Sequence, residues 1–217
     1  MANRFIVLLL LIIVSNNLLS QVRTGVVAGP QLISANYKVQ DEKQLAEYKI
    51  GMQAGVIVKL PFENQLYFAP SVYYSLKGYK VKLTNPSFPP GEDAASNDVS
   101  VHTIEIAPLL HFDLSKKAAH PFIQFGPAID IAFYGKEEIV LKNGDKVNRD
   151  MKFSFGDYGR FTSSAIGRLG YQLENGFFFF GHITYGLGSM NNADNGPKIR
   201  HRVYGISVGK YFSGNGK

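Results

Sequence analysis

The chain has 217 residues, of which 45% are hydrophobic and only 18% charged, with 12 Tyr, 16 Phe, 22 Gly and neither Trp nor Cys. This much apolar and aromatic content excludes a disordered chain, the glycine and aromatic load speaks against a helical bundle, and the lack of cysteine excludes disulfides, thiolate metal sites and a lipoprotein anchor. The formal net charge of +6 is carried by scattered Lys and Arg residues with no basic stripe, so no nucleic-acid partner is expected.

Residues 1–20 read as a secretory signal peptide. Arg4 gives the positive start, Phe5 to Val14 is an unbroken apolar run, Asn16 and Asn17 break it, and Ser20 is a small residue at the cleavage edge. The run is short for a hydrocarbon core of about 30 Å. Residues 21–217 are then expected to form one domain. After residue 20 no apolar run approaches the roughly 20 residues of a spanning helix, which excludes a polytopic helical membrane protein.

From Gln21 onward the chain alternates with period two between turn-like stretches, and eight strands are predicted at 22–36, 48–60, 65–80, 99–114, 121–134, 159–173, 177–190 and 200–212. Each exceeds the usual five or six residues of a soluble strand and suffices to cross a bilayer at a tilt. Short connections (Pro61 to Asn64, Ser115 to His120, Glu174-Asn175-Gly176) alternate with longer polar ones near 37–47, 81–98, 135–158 and 191–199. Short turns alternating with long loops is the layout of an outer-membrane barrel, with the turns and both termini on the periplasmic side. The fold class expected is all-β: an eight-stranded antiparallel up-and-down transmembrane β-barrel.

The alternation assigns the faces. Leu66, Phe68, Pro70, Val72, Tyr74 and Leu76 share one face of the third strand, against Tyr67, Ala69, Ser71, Tyr73, Ser75 and Lys77. The fourth strand sets Ile104, Ile106, Pro108, Leu110 and Phe112 against Thr103, Glu105, Ala107, Leu109, His111 and Asp113, and the fifth sets Ile123, Phe125, Pro127, Ile129, Ile131 and Phe133 against Gln124, Gly126, Ala128, Asp130 and Ala132. The signal segment and strand length turn the apolar rows toward lipid. Tyr67, Phe68, Tyr79, Tyr134, Tyr171, Phe177, Tyr211 and Phe212 are expected in interfacial girdles. Pro30, Pro70, Pro108 and Pro127 fall inside strands, where bulges or bends are expected. Gly205, Gly209 and their like are expected to relieve crowding in a narrow lumen.

Glu105, His111, Asp113, Asp130, Arg160, Arg168, His182, Gln53, Gln124 and Lys77 project to the enclosed side. An eight-stranded barrel is just filled by its side chains, and buried charges must pair. A salt-bridged plug is expected, with Glu105 facing Arg168 or Lys77, rather than a proton or ion path. Catalysis requires a nucleophile, a histidine and an orienting acid. His102 and His201 near strand ends, with Ser100 beside His102, are the candidates, but no nucleophile elbow is expected and no paired-histidine metal motif occurs. No phosphate-binding loop is present. Asn191, Asn192, Asp194 and Asn195, and the Asn143-Gly-Asp145 segment, could be read as calcium loops but are better read as turns. No catalytic, cofactor-binding or metal-binding residue is therefore assigned, and no cofactor is expected.

The segments Gly25-Val-Val-Ala-Gly-Pro-Gln-Leu and Gly51-Met-Gln-Ala-Gly-Val, the strand Leu66 to Gly78 ending Tyr-Ser-Leu-Lys-Gly, Ile104-Glu-Ile-Ala-Pro-Leu-Leu with Ala107 before its proline, Pro121-Phe-Ile-Gln-Phe-Gly-Pro and Ile206-Ser-Val-Gly-Lys-Tyr-Phe212 together resemble the PorT-like outer-membrane β-barrel family. The resemblance spans residues 22–212. It implies a barrel in the outer membrane, one branch of the family being accessory to protein secretion and gliding. Phe212 resembles the terminal aromatic read by the barrel assembly machinery, although Ser213 to Lys217 follow it. The expected protein is a monomeric, non-enzymatic barrel with partners in outer-membrane lipid, the assembly machinery and, through the loops, secretion or surface proteins. A passive porin, a lipid-modifying enzyme and a soluble lipocalin-like binder are the alternatives.

Overall fold

The computed structural model describes residues 22–213, so the expected signal peptide and its cleavage edge lie outside the described residues. Eleven strands follow in chain order: β1 (Arg23–Val39), β2 (Glu42–Lys43), β3 (Leu45–Glu47), β4 (Lys49–Glu63), β5 (Leu66–Lys82), β6 (Ala94–Asp113), β7 (His120–Leu141), β8 (Lys146–Asp150), β9 (Phe161–Gln172), β10 (Phe177–Gly186) and β11 (Lys198–Ser213). The eight long ones pair antiparallel in the ring β1-β4-β5-β6-β7-β9-β10-β11. The seam runs from Arg23↔Ser213 to Lys38↔Lys198, so β11 closes on β1 and each of the eight ring strands has a neighbour on both sides. The expected fold class is the one observed.

One end of the ring carries tight turns. Asn64 (φ 51°) turns β4 into β5, and Gly176 (φ 83°) after Asn175 turns β9 into β10, both in the left-handed backbone that Asn and Gly adopt most readily. The other end departs from expectation. The 135–158 segment is not one long loop: β7 runs on to Leu141 and β8 returns along it, from Val140↔Lys146 to Lys136↔Asp150. With β5 paired to β6 out to Lys82↔Ser96, this raises a tall wall on one side of the mouth. Its pairing partner is another strand, so its alternation continues with charges on the open face. β10 stops four residues before its expected end, where Asn191 turns the chain by accepting from Ala193 N through its side chain at 2.9 Å.

The proline expectation fails for a specific reason. Pro70 lies opposite Pro108 in the β5–β6 register, which stays constant from end to end. Continuing the β6–β7 register places Pro108 opposite Pro127. Neither has an N–H to give, and pairing lapses between Ile106↔Ile129 and Leu110↔Phe125 without any slip. Pro30 likewise interrupts the seam between Ala28↔Val208 and Gln31↔Gly205 in unchanged register. The register shifts occur elsewhere, at Pro61/Glu63, Ala94/Ser96 and His102/Thr103.

The two rows of each strand separate as the alternation requires. Phe68, Ile106, Ile129 and Ile183 stand on the outer wall, exposed by 39, 42, 51 and 56%, while their polar neighbours Lys77, Glu105, Asp130 and His182 are all below 5%. Phe68, Tyr134, Tyr171, Phe177 and Phe212 are on that wall as expected. Tyr79 and Tyr211 are not: both are buried inside the ring. Tyr67 also turns inward, its ring 4.1 Å from Lys59 Nζ. An apolar exterior around a charged interior is the reverse of a lipocalin-like soluble barrel.

Candidate functional site in the barrel interior

The interior is built in layers from inward residues of alternate parity. Nearest the tight turns, Lys59 on β4 reaches both carboxylate oxygens of Asp113 on β6, at 2.7 and 2.8 Å. His111 Nε2 donates to Asp113 Oδ1 at 2.6 Å, and His111 Nδ1 accepts from Gln124 at 2.7 Å. Phe122 stacks on the His111 ring at 4.8 Å. Above this layer, Phe178 packs against Tyr211 (4.4 Å), Phe180 and Phe122. With Tyr73, Ile57, Val27 and Ala69 they fill the section with apolar atoms.

The central layer is ionic. Glu105 and Asp130 face one another on β6 and β7, and Lys77 on β5 bridges them, 2.7 Å from Glu105 and 2.6 Å from Asp130. Two facing carboxylates would repel; a single ammonium between them removes the conflict. Among the described residues Arg168 on β9 makes no ion pair. Its guanidinium donates to the Tyr73 hydroxyl at 2.9 Å and to Gln124 Oε1 at 3.3 Å, between the rings of Tyr73 (4.9 Å) and Phe180 (5.0 Å). Of the two partners expected for Glu105, Lys77 is therefore the one bonded. Gln31 bridges to Ser75 Oγ (3.0 Å) and Gln53 to Ser207 Oγ (3.0 Å), tying β1 to β5 and β4 to β11. A cavity of about 10 Å³ lies between Lys77, Asp130, Ser164, Thr184 and His201, at the lower limit for one water molecule.

Toward the long loops, Tyr37, Tyr79, Val99, Val101 and Ile199 form a second apolar section. Residues 151–160 fold back over it. Tyr158 donates to buried Glu137 at 2.8 Å, Arg149 on β8 pairs with the same carboxylate, and Tyr37 donates to the Pro89 carbonyl at 3.2 Å. Burial first, and Glu137 second, hold the Tyr158 phenol far above its ordinary range, so it remains a donor. The tall wall thus leans its own loop across the mouth.

Other expected residues lie elsewhere. Arg160, expected in the lumen, is exposed before β9 begins and packs over Phe153. His102 faces outward, bonded to the Tyr74 hydroxyl at 2.7 Å, whereas His201 faces inward; opposite sides of the wall cannot form one catalytic site. A Gly-x-Ser-x-Gly spelling does occur, at Gly205 to Gly209, contrary to the expectation of none. It is not an elbow: it runs straight through β11 and its Ser207 is the buried acceptor of Gln53. Asn143 and Asn191 use their side-chain oxygens on the backbone of their own turns, at Asp145 N (3.0 Å) and Ala193 N (2.9 Å). Lys59 and Glu137 were missed: Lys59 keeps the parity of Gln53 on the same strand, whereas Glu137 lies past the irregularity opposite His102/Thr103, where Phe133 and Tyr134 both face outward and the inward row of β7 changes parity.

A family model described as outer membrane protein beta-barrel domain matches residues 14–192. No curated protein sequence matches the chain. Among solved structures the chain is similar to Ail, the attachment invasion locus protein of Yersinia pestis (11% identity, 88% of this chain and 98% of that one, TM-score 0.46). It is also similar to OprG from Pseudomonas aeruginosa (14%, 88% and 96%, TM-score 0.49) and to Neisserial surface protein A (11%, 87% and 97%, TM-score 0.43).

Proposed function

The chain belongs to the outer-membrane protein β-barrel family and spans the cell outer membrane as an eight-stranded barrel, and from that premise we propose that it is a non-enzymatic, non-conducting anchor that presents its long loops outside the cell. The observation that carries the reading is the continuous filling of the lumen. The aromatic layer, the Lys77–Glu105–Asp130 bridge and the Tyr158 cover succeed one another with no channel-sized gap among the described residues. A passive pore needs an aqueous lumen, which barrels of this strand number do not have room for. A hydrolytic or acyl-transfer site needs a histidine that a nucleophile and a substrate can both reach. His111 has both ring nitrogens engaged and His102 stands on the lipid face. His182 and His201, though both ring nitrogens of the first and Nε2 of the second lack partners among the described residues, are buried in the filled lumen, where the gap beside His201 is about 10 Å³ and admits no substrate.

The finer parts of the reading rest on the sequence. Residues 1–20 are removed on export, Phe212 serves the barrel assembly machinery, and the barrel is a monomer of the PorT-like branch, accessory to protein secretion. The exposed Phe155, 95% accessible at the tip of the 151–160 loop, gives the loops an apolar contact of their own.

Planar-bilayer recording of the purified full-length chain tests the central claim. No steady nanosiemens steps are expected, and such steps would restore the porin alternative. A deletion strain that secretes its surface proteins at the parental rate would remove the PorT-like branch and leave the anchor standing. The outer wall makes a third expectation: Ile129→Arg, midway along β7, should cost about 2–4 kcal/mol in urea titrations in lipid vesicles. An unchanged midpoint would mean that this row does not meet acyl chains.

A further inference from the structure

β11 leaves the long-loop end with its outward row reading Lys198, Arg200, Arg202, Tyr204 and Ile206. The neighbouring strand sets Lys38 beside Lys198 in the seam register. Four cations are thus gathered on one patch of the outer wall. Lys198 pairs with Asp41 at 3.1 Å, but among the described residues no salt bridge engages Lys38, Arg200 or Arg202. The Arg202 guanidinium lies over the Tyr185 ring at 5.5 Å, and its Nε is buried with no partner. Like charges crowded on adjacent strands repel, so the patch is poised for an anion.

Its height says which anion. Tyr185 and Tyr204, both on the outer wall, are the aromatics of β10 and β11 nearest the loops, the position of an interfacial girdle. Arg202 and Arg200 follow within two and four residues of Tyr204, roughly 7 and 13 Å along the strand. This is head-group depth in the outer leaflet. On the acyl side of Tyr204 the wall dips into a shallow apolar groove of about 1040 Å³. Gly167 and Gly181 give it a floor without side chains, the first with nothing within 4 Å of where a Cβ would sit. Ile183 and Ile206 are at its rim.

We infer that this face binds one phosphorylated lipid of the outer leaflet, its phosphate held by Arg200 and Arg202 and an acyl chain laid in the groove. A soluble anion would use the cations alone. A zwitterionic lipid would use the groove alone. The combination selects an anionic lipid. Arginine suits the task because its planar fork meets phosphate oxygens in pairs.

The test is lipid retention by the full-length barrel in mild detergent, titrated with lipid A or with phosphatidylethanolamine and read by native mass spectrometry. The parent is expected to retain lipid A over phosphatidylethanolamine. Arg200→Gln with Arg202→Gln should weaken lipid A retention about thirtyfold, two cations at about 1 kcal/mol each, and leave the heat-modifiable band of the folded barrel unchanged. Gly181→Leu, which fills the groove, should also weaken it. Lys80→Gln, a cation at the same end on β5, should not. Equal retention by the double variant overturns the proposal. So does complete displacement of lipid A by inorganic phosphate, which would mark an anion site indifferent to lipid, or equal loss with Lys80→Gln, which would mark general charge attraction.

Discussion

Replacing Lys77 with methionine is expected to cost the folded barrel about 3–5 kcal/mol, the usual penalty for removing one partner of a buried ion cluster. The arrangement makes this position more sensitive than a simple pair. Glu105 and Asp130 are direct cross-strand neighbours, 2% and 4% exposed. Without the ammonium, two carboxylates face each other between apolar layers, out of reach of bulk water. Arg168 cannot take over, because its guanidinium is committed to Tyr73 and Gln124 and flanked by two rings. Urea unfolding in lipid vesicles measures the deficit. The triple variant Lys77→Met, Glu105→Gln, Asp130→Asn separates charge from packing: it should recover most of the loss, since a neutral set of similar volume carries no stranded charge. A single variant within about 1 kcal/mol of the parent would show that the cluster is hydrated from the loops, and the filled-lumen account would fail with it.

What could be read from the sequence depended on whether a residue's neighbours were decided within its own strand. The rows of β5, β6 and β7 were legible because lipid and lumen impose opposite demands on consecutive residues, and alternation needs no knowledge of the partner strand. Tyr79 and Tyr211 were misplaced because residue type was allowed to outweigh parity: each shares its row with a recognised inward residue, Lys77 and Gly209 respectively. Arg160 was misplaced because it stands at the very edge of β9, just before Phe161: its carbonyl already accepts from Ala132 N at 2.8 Å, but its side chain lies over Phe153 of the covering loop instead of entering the lumen. That Lys77 bonds Asp130 as well as Glu105 depends on the stagger between strands, which no single strand encodes. The β7–β8 extension was hidden for a different reason. Above the membrane both of its faces meet water or loop, so Lys136 to Asp150 lost the apolar contrast that marked the strands below. The proline positions show the limit of a rule stated for open sheets: Pro108 and Pro127 oppose each other, so the two missing donors fall in one gap and the register survives.

Closure makes the ring stable in lipid, and Gly29→Val should abolish it. Only a ring without edges satisfies every backbone group where water is absent. The pairing that closes the ring, β1 against β11, is interrupted at Gly29 and Pro30. A Cβ on Gly29 would lie 2.0 Å from the Ile206 carbonyl oxygen and 2.6 Å from Ser207 Cα. These are backbone atoms of the closing strand, so no rotamer relieves the clash, and β1 cannot retreat without opening the seam on both sides of a gap that already lacks the proline's hydrogen bond. The folded, heat-modifiable band should disappear from gels of the refolded variant. Gly167→Val is the matched control. That glycine faces the outer wall with open space around it, and a β-branched residue suits an exposed strand position, so the barrel should fold as the parent does. If Gly29→Val folds with parental stability, β1 and β11 do not approach as closely as the seam register requires, and a lumen wide enough to conduct becomes the better description.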